Sequence, residues 1–232
     1  IDKSLRILKK KLDKEGVILS SPKRSTCNHS SSTKKAFNLR KAINYLSAVD
    51  KQLAKLINDI GPYRMSVNHT QDIFLALAEA IIYQQLHGKA AAIIFKRVCE
   101  LFPRTPKGFT AKDILHCDDQ VLRSAGLSQN KLFALRDLAD KTERGVLPTV
   151  DELTTLDNET IIERLTVVRG IGRWTVEMLL MFKLGRTDVL PVDDYGIRKG
   201  FMLAFNQAAM PTPKALQAYG QRWAPYRTVA SC

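Results

Sequence analysis

The chain has 232 residues, 36 Lys/Arg against 23 Asp/Glu and a net charge of +13. That length builds one large or two small domains with a real core. No apolar run reaches a membrane span, the first residues are too charged for a signal peptide, and four scattered cysteines make no disulfide framework, which points to a reducing compartment.

The charge points to a polyanionic partner. Residues 1–35 hold ten Lys/Arg against three acids, which is +7 of the +13. The remainder is only mildly basic, so charge alone does not establish DNA binding.

Residues 1–17 place Leu5, Leu8 and Leu12 at helical spacing. Residues 20–35, rich in Ser, Thr, Lys and Pro, read as a linker that is either a basic tail on DNA or an inert extension. Residues 39–57 carry one stripe of Leu39, Ile43, Leu46, Val49, Leu53, Leu56 and Ile57, which predicts a single helix stopped by Gly61-Pro62-Tyr63. Residues 72–84 predict a second helix with Phe74, Leu77, Ala78, Ile81 and Ile82 inward, and residues 89–101 a third.

Between those two helices lies Gln84-Gln85-Leu86-His87-Gly88. Leu86 reads either as an apolar wedge, which unstacks bases without hydrogen bonds, or as a core leucine. Gln85 and His87 can donate to base edges or sugars, or can be solvated loop residues. Residues 111–123 and 131–141 predict two more helices. The join between them, Gly126 to Lys131, offers Ser128 as N-cap. Its amides, with Lys131, can hold a phosphate, although a capped helix start looks the same.

Residues 155–168 predict a helix capped by Asp157 or Asn158. It runs into the tight turn Arg169-Gly170-Ile171-Gly172-Arg173, followed by an apolar helix from Trp174 to Leu184. Two helices joined by Gly-Ile-Gly read as a helix-hairpin-helix. Glycine supplies backbone angles that a Cβ forbids and lets something bulky approach. The amides of Gly170, Gly172 and Arg173 sit at a helix N-terminus, where an anion is favoured, and Arg169 and Arg173 flank the same spot. A phosphate is the expected guest; a plain C-capping glycine is the bland reading. Downstream, Pro191-Val192-Asp193-Asp194-Tyr195 opens another helix. Asp193 reads as its N-cap and Asp194 as a first-turn residue, so both are caps or Asp194 is a catalytic carboxylate. A last helix is predicted over residues 213–223.

The arrangement L-x-x-V-x-G-I-G-R-W-T, then P-V-D-D-Y-x-I-R, resembles the helix-hairpin-helix DNA glycosylases, within them the 3-methyladenine DNA glycosylase II branch. The likeness extends over residues 43–231 and includes Gln84 to Ala90, the Gly126 to Lys131 segment and Trp223-Ala224-Pro225-Tyr226-Arg227. In the family the chain continues from that last segment into a helix whose aromatics help wall the pocket; this sequence ends at Cys232.

The resemblance implies an all-α fold of two helical lobes with a cleft between them and no N-terminal β-domain. The expected divisions are a basic extension at 1–36, a helix at 37–66 packing with the C-terminal lobe, a helical lobe at 67–148 carrying the minor-groove loop, and the hairpin lobe with the catalytic aspartate at 149–232. It further implies a double-stranded DNA partner bearing alkylated bases, excision of an extruded purine by Asp194, and Trp174 and Tyr195 lining the base pocket. Arg169, Gly170, Ile171, Gly172, Arg173 and Thr175 form the phosphate-binding hairpin. Gln85, Leu86 and His87 fill the gap in the minor groove, and Ser128 with Lys131 gives the second anchor. By the same resemblance, carbonyls of Thr166, Val168 and Ile171 hold a monovalent cation, Na⁺ or K⁺.

No other cofactor is expected. Cys27, Cys99, Cys117 and Cys232 contain no C-x₂-C for an iron–sulfur cluster. The bifunctional glycosylase-lyases carry a lysine where this chain has Trp174, so base excision without strand cleavage is expected. The implied protein is a monomer without membrane contact, in a bacterial cytoplasm with the nucleoid or in a eukaryotic nucleus. Two rivals stay open: a non-catalytic binder of damaged or distorted DNA, and a scaffold joining other proteins.

Overall fold

A computed structural model of the chain describes residues 38–61, 67, 70, 72–105 and 108–232. The helix expected at 1–17 and the linker at 20–35 lie outside the described residues. The described residues are helical with no strand, in accord with the all-α expectation. They fall into two compact units, one holding the described residues up to Val67 with Gly185–Cys232, the other spanning Asn68–Leu184.

This division differs from the expected lobes. The described residues before Val67 fall in the unit that holds Gly185–Cys232, and the hairpin falls in the unit Asn68–Leu184. The helices on either side explain the difference, unit by unit.

In the first unit, the stripe expected to form one helix forms two, α1 (Leu39–Val49) and α2 (Lys51–Ile60). Asp50 breaks them. Its backbone is extended, and its carboxylate accepts from the amides of Gln52 at 3.1 Å and Leu53 at 3.0 Å, which caps α2. Asx residues compete with the helix for backbone donors in this way. Helix α11 (Tyr195–Ala204), α12 (Pro213–Gly220), a 3₁₀ turn (Gln221–Trp223) and α13 (Arg227–Ser231) complete the unit. Leu46, Leu53, Leu190, Phe205, Leu216 and Trp223 form its buried core. Asp50 is itself buried and also accepts from the Trp223 indole N–H at 2.9 Å, so the break between α1 and α2 is tied to the far end of the chain.

In the second unit, α3 (Ile73–Tyr83) is apolar nearly all round, and Ile73, Phe74, Ala76, Leu77, Ala78, Ile81 and Ile82 are buried. Such a helix must be surrounded. Its neighbours are α4 (Gly88–Glu100), α7 (Gln129–Glu143) and α10 (Arg173–Phe182). The helix expected over 111–123 is again two, α5 (Ala111–His116) and α6 (Asp119–Ser124), split where the Asp118 carboxylate caps α6 through the amide of Gln120 at 2.7 Å. Residues 150–165 give α8 (Val150–Thr155) and α9 (Asn158–Leu165), the latter capped by Asp157. Because α9 packs on α10 and α10 on α3, the hairpin belongs with the residues around α3. Lys183, just beyond α10, pairs with Glu79 of α3 at 2.9 Å. Among the described residues, no helix is long and apolar enough to cross a membrane.

Candidate nucleic-acid interface and catalytic carboxylate

The hairpin joins α9 to α10 through Thr166–Gly172. Its inner side is apolar, with Leu165, Val168 and Ile171 buried. The amide of Ile171 donates to the Val168 carbonyl at 3.0 Å, closing the turn. Gly170 has φ +79°, in the left-handed region where a Cβ is strained. Gly172 is different. Its φ of −99° and ψ of 171° are open to any residue, and a Cβ built there meets nothing within 4 Å. Nothing in the local fold demands glycine at 172. It heads α10 and supplies no side-chain cap to the first turn of the helix.

The two arginines of the turn are held differently. The Arg169 amide donates to the Asp137 carboxylate of α7 at 2.7 Å, and its guanidinium lies over the Phe133 ring, 5.1 Å from the centroid. Phe133 and Asp137 are one helical turn apart, so α7 holds Arg169 at both ends. Partial burial pushes the Asp137 carboxyl up, but hydrogen bonds from the Arg169 amide and Lys141, with the positive charges nearby, outweigh it and hold it below its ordinary value. Arg173, expected to flank the phosphate, is engaged elsewhere. Its guanidinium bonds both oxygens of Glu159 on α9, one at 3.0 Å, and lies 3.8 Å from the buried Glu177. The Glu159 carboxyl is held low, first by that hydrogen bond and then by the Arg173 charge, with burial opposing. Arg173 thus braces α9 against α10. Thr175 is buried, so what the helix start offers from it is its amide.

Beside the hairpin in the same unit is the loop between α3 and α4. Leu86 is 39 % exposed and therefore not a core leucine. Gln85 has φ +57°, rare for a residue with a Cβ. His87 caps α4, its Nδ1 accepting from the Lys89 amide at 3.4 Å. Gln84, the C-cap of α3, donates its side-chain amide to the Gly170 carbonyl at 2.8 Å. Ser128 caps α7 through the Lys131 amide, as expected. The Lys131 ammonium, expected at a phosphate, donates instead to the Ile82 carbonyl in the last turn of α3 at 2.6 Å. Burial lowers its pKa.

Trp174, on the first turn of α10, is 47 % exposed. Asp194 and Tyr195 belong to the other unit. The capping order differs from the sequence reading: Asp194, not Asp193, is the N-cap of α11, accepting from the Ile197 amide at 2.9 Å. The amide of Asp194 closes a turn to the Pro191 carbonyl at 3.1 Å. That turn leaves Asp193 exposed and places Asp194, half-buried, at the positive end of the helix dipole. Tyr195 is 61 % exposed. The Arg227 guanidinium holds Asp188 through hydrogen bonds of 2.6 and 2.9 Å, which fixes the segment of chain leading into this turn.

For a cation, the carbonyls of Thr166, the C-cap of α9, and of Val168 lie at the negative end of that helix. Val168 keeps one lone pair after bonding Ile171. A set of neutral carbonyls fits a hard monovalent ion. Among the described residues, no group of three or more His, Cys, Asp or Glu is placed to hold a metal; Cys27 lies outside them.

Asp137, Phe133, Glu159, Glu177 and Gln84 all shape the site, and sequence reading assigned none of them a role. Asp137 is 32 residues from Arg169 and Gln84 is 86 from Gly170, so no local pattern could join them. Only Glu177, polar in an apolar run, carried a signal.

The model for HhH-GPD superfamily base excision DNA repair proteins matches residues 78–225. DNA-3-methyladenine glycosylase 1 of Schizosaccharomyces pombe is 38 % identical, over 84 % of this chain and 85 % of that protein. The alkylbase DNA glycosidase-like protein mag2 of the same organism is 26 % identical, over 83 % and 90 %. Among solved structures, the S. pombe 3-methyladenine DNA glycosylase in complex with abasic DNA covers 82 % of this chain and 93 % of its own, with TM-score 0.71 and 38 % identity. A DNA-3-methyladenine glycosidase from Bacillus halodurans covers 82 % and 85 %, with TM-score 0.73 and 34 % identity. With the glycine hairpin, its helix start and the aspartate-headed helix in place, the chain belongs to the HhH-GPD superfamily of base excision DNA repair proteins.

Proposed function

We propose that this protein is a monofunctional, monomeric DNA glycosylase of the 3-methyladenine glycosylase II type, which extrudes and excises alkylated purines from double-stranded DNA. The observation that carries the reading is the glycine at the start of α10. Gly172 is a glycine that the local fold does not require, at a helix N-terminus with no side-chain cap. A strand phosphate fits there, against amides and a helix dipole. The names of the relatives point to alkylated bases.

The steps follow from chemistry. Extruding a nucleotide costs a few kcal/mol, which phosphate anchoring at the hairpin and insertion of Leu86 offset. An alkylated purine is cationic, and stacking on an exposed aromatic face, of Trp174 or of Tyr195, stabilises it by about 0.5–2 kcal/mol over a neutral base. A cationic base leaves without a strong general acid. Breaking the C1′–N bond develops oxocarbenium charge on the sugar, and the Asp194 carboxylate supplies a fixed anion for it. Water then adds at C1′, its proton passing to Asp194 or solvent. The strand stays intact, because Trp174 stands where a lyase carries its amine. A monovalent cation on the carbonyls of Thr166, Val168 and Ile171 would add positive charge for the phosphate. No iron–sulfur cluster takes part. The place of action is wherever the genome lies, a bacterial nucleoid or a nucleus.

Product analysis on methylated duplex DNA tests the reading. The expected outcome is free 3-methyladenine or 7-methylguanine, an uncleaved abasic strand, and loss of release in Asp194→Asn with lesion binding kept. Asparagine caps α11 as well as aspartate does, so the fold should persist. A wild-type protein that binds lesions and releases no base is a binder; an Asp194→Asn variant with normal turnover makes Asp194 only a cap.

A further inference from the structure

We propose that Gln84 is a positioning residue that couples the phosphate-gripping hairpin to the inserting loop, an inference that rests on the function proposed above. Its side-chain amide donates to the Gly170 carbonyl at 2.8 Å. The partner is a carbonyl, which only accepts, so the bond requires a donor at 84. Gly170 is the left-handed residue of the hairpin, and its carbonyl belongs to the peptide leading into Ile171, one residue before Gly172. Fixing that peptide plane fixes the approach to the start of α10. On its other side Gln84 is joined to Gln85, whose φ of +57° sets the direction in which the loop presents Leu86. Two elements meant for DNA, far apart in sequence, are therefore tied through one side chain.

Helix α7 supports both elements independently. Lys131 donates to Ile82 in the last turn of α3, and Asp137 accepts the Arg169 amide of the hairpin. With α3 and the hairpin each tethered to α7, Gln84 sets the register between loop and hairpin. Gripping a phosphate then places Leu86 for insertion before the base has left the stack. Loss of the link leaves gripping in place and makes insertion bear the ordering of the loop.

The test uses the full chain and two duplexes, one undamaged and one with a tetrahydrofuran abasic-site analogue whose gap the loop fills. Gln84→Leu should lower the preference for the abasic duplex about 3- to 10-fold, the size of one net hydrogen bond. Affinity for undamaged DNA and its salt slope should stay within about 2-fold, since phosphate contacts set both. Gln84→Met, similar in length but neutral and no donor, should show the same loss and carries the test if the leucine variant melts early. Adding Gln84→Leu to Leu86→Ala should cost nothing further, because coupled residues are not additive. Unchanged abasic preference, or additive losses, would overturn the coupling. A wild-type protein that prefers the abasic duplex yet releases no alkylated base would defeat the proposed activity and leave the coupling standing; one with no such preference overturns the coupling.

Discussion

Replacing Gly172 by aspartate should move stability and DNA binding in opposite directions. The backbone at 172 is extended, with φ −99° and ψ 171°, and a Cβ meets nothing within 4 Å. Aspartate is a better N-cap than glycine by a few tenths of a kcal/mol. Losing a glycine also narrows the unfolded ensemble, a gain of about 0.4–1 kcal/mol where no strain results. The folded protein should therefore hold its stability or gain about 1 kcal/mol, raising Tm by roughly 2–4 °C. Binding should fall. The new carboxylate occupies the amides meant for phosphate and places an anion near it. At about 4 Å the repulsion runs from roughly 1 kcal/mol in water to 4 kcal/mol at a protein surface, a loss of about 5- to 1,000-fold. Titration of an undamaged duplex at several salt concentrations should give a log–log slope shallower by about 0.9 for the lost phosphate contact. Equal affinity with an unchanged slope, in a variant that melts no earlier than wild type, would remove the phosphate from this position.

The charges around the hairpin set three further outcomes. Asp137 has its carboxyl held below its ordinary 3.8, so its anion contributes stability that is full above that value and is lost as pH falls through the folded value. The stability gap between wild type and Asp137→Asn should thus be constant above about pH 5 and narrow as pH falls below 3.8 through the lowered folded value. Denaturant titrations at both ends check it, and a gap equal at both would show the charge to be idle. Arg173→Gln should lower stability by about 1–3 kcal/mol, because the buried Glu177 loses a cation, while the salt slope of DNA binding stays unchanged. Arg169→Gln should do the reverse, lowering the slope by about 0.9 with little effect on Tm. Matching effects of the two variants on the slope would contradict the ion pairs of Arg173.

The hairpin and its helices were legible because their signals are local. A Gly-x-Gly between two apolar runs specifies its own turn, and the Pro191 to Tyr195 run specifies its own helix start. The apolar stripes placed the helices but not their breaks. Asp50 and Asp118 interrupt helices whose apolar spacing runs on unbroken, since the deciding bond goes to the backbone two or three residues along. The same capping competition decided between Asp193 and Asp194, where a turn back to Pro191 shifted the cap by one residue. Charged side chains were the least legible. Arg173 and Lys131 look available for phosphate in sequence, and only tertiary structure supplies Glu159 and the Ile82 carbonyl. Leu86 could be core or wedge until its exposure was known.

With its guanidinium committed to Glu159 and Glu177, Arg173 contributes little bare charge where the DNA strand is to be held. What remains at the head of α10 is chiefly a row of dipoles, whose pull dies away within about a helical turn. Such a surface discriminates by fit and does little to draw a duplex out of bulk solvent. Long-range attraction depends instead on net charge, which is +13 over the whole chain. Arrival of a duplex and its retention at such a helix start answer to different physics, the first sensitive to ionic strength and the second to the shape of the backbone it meets.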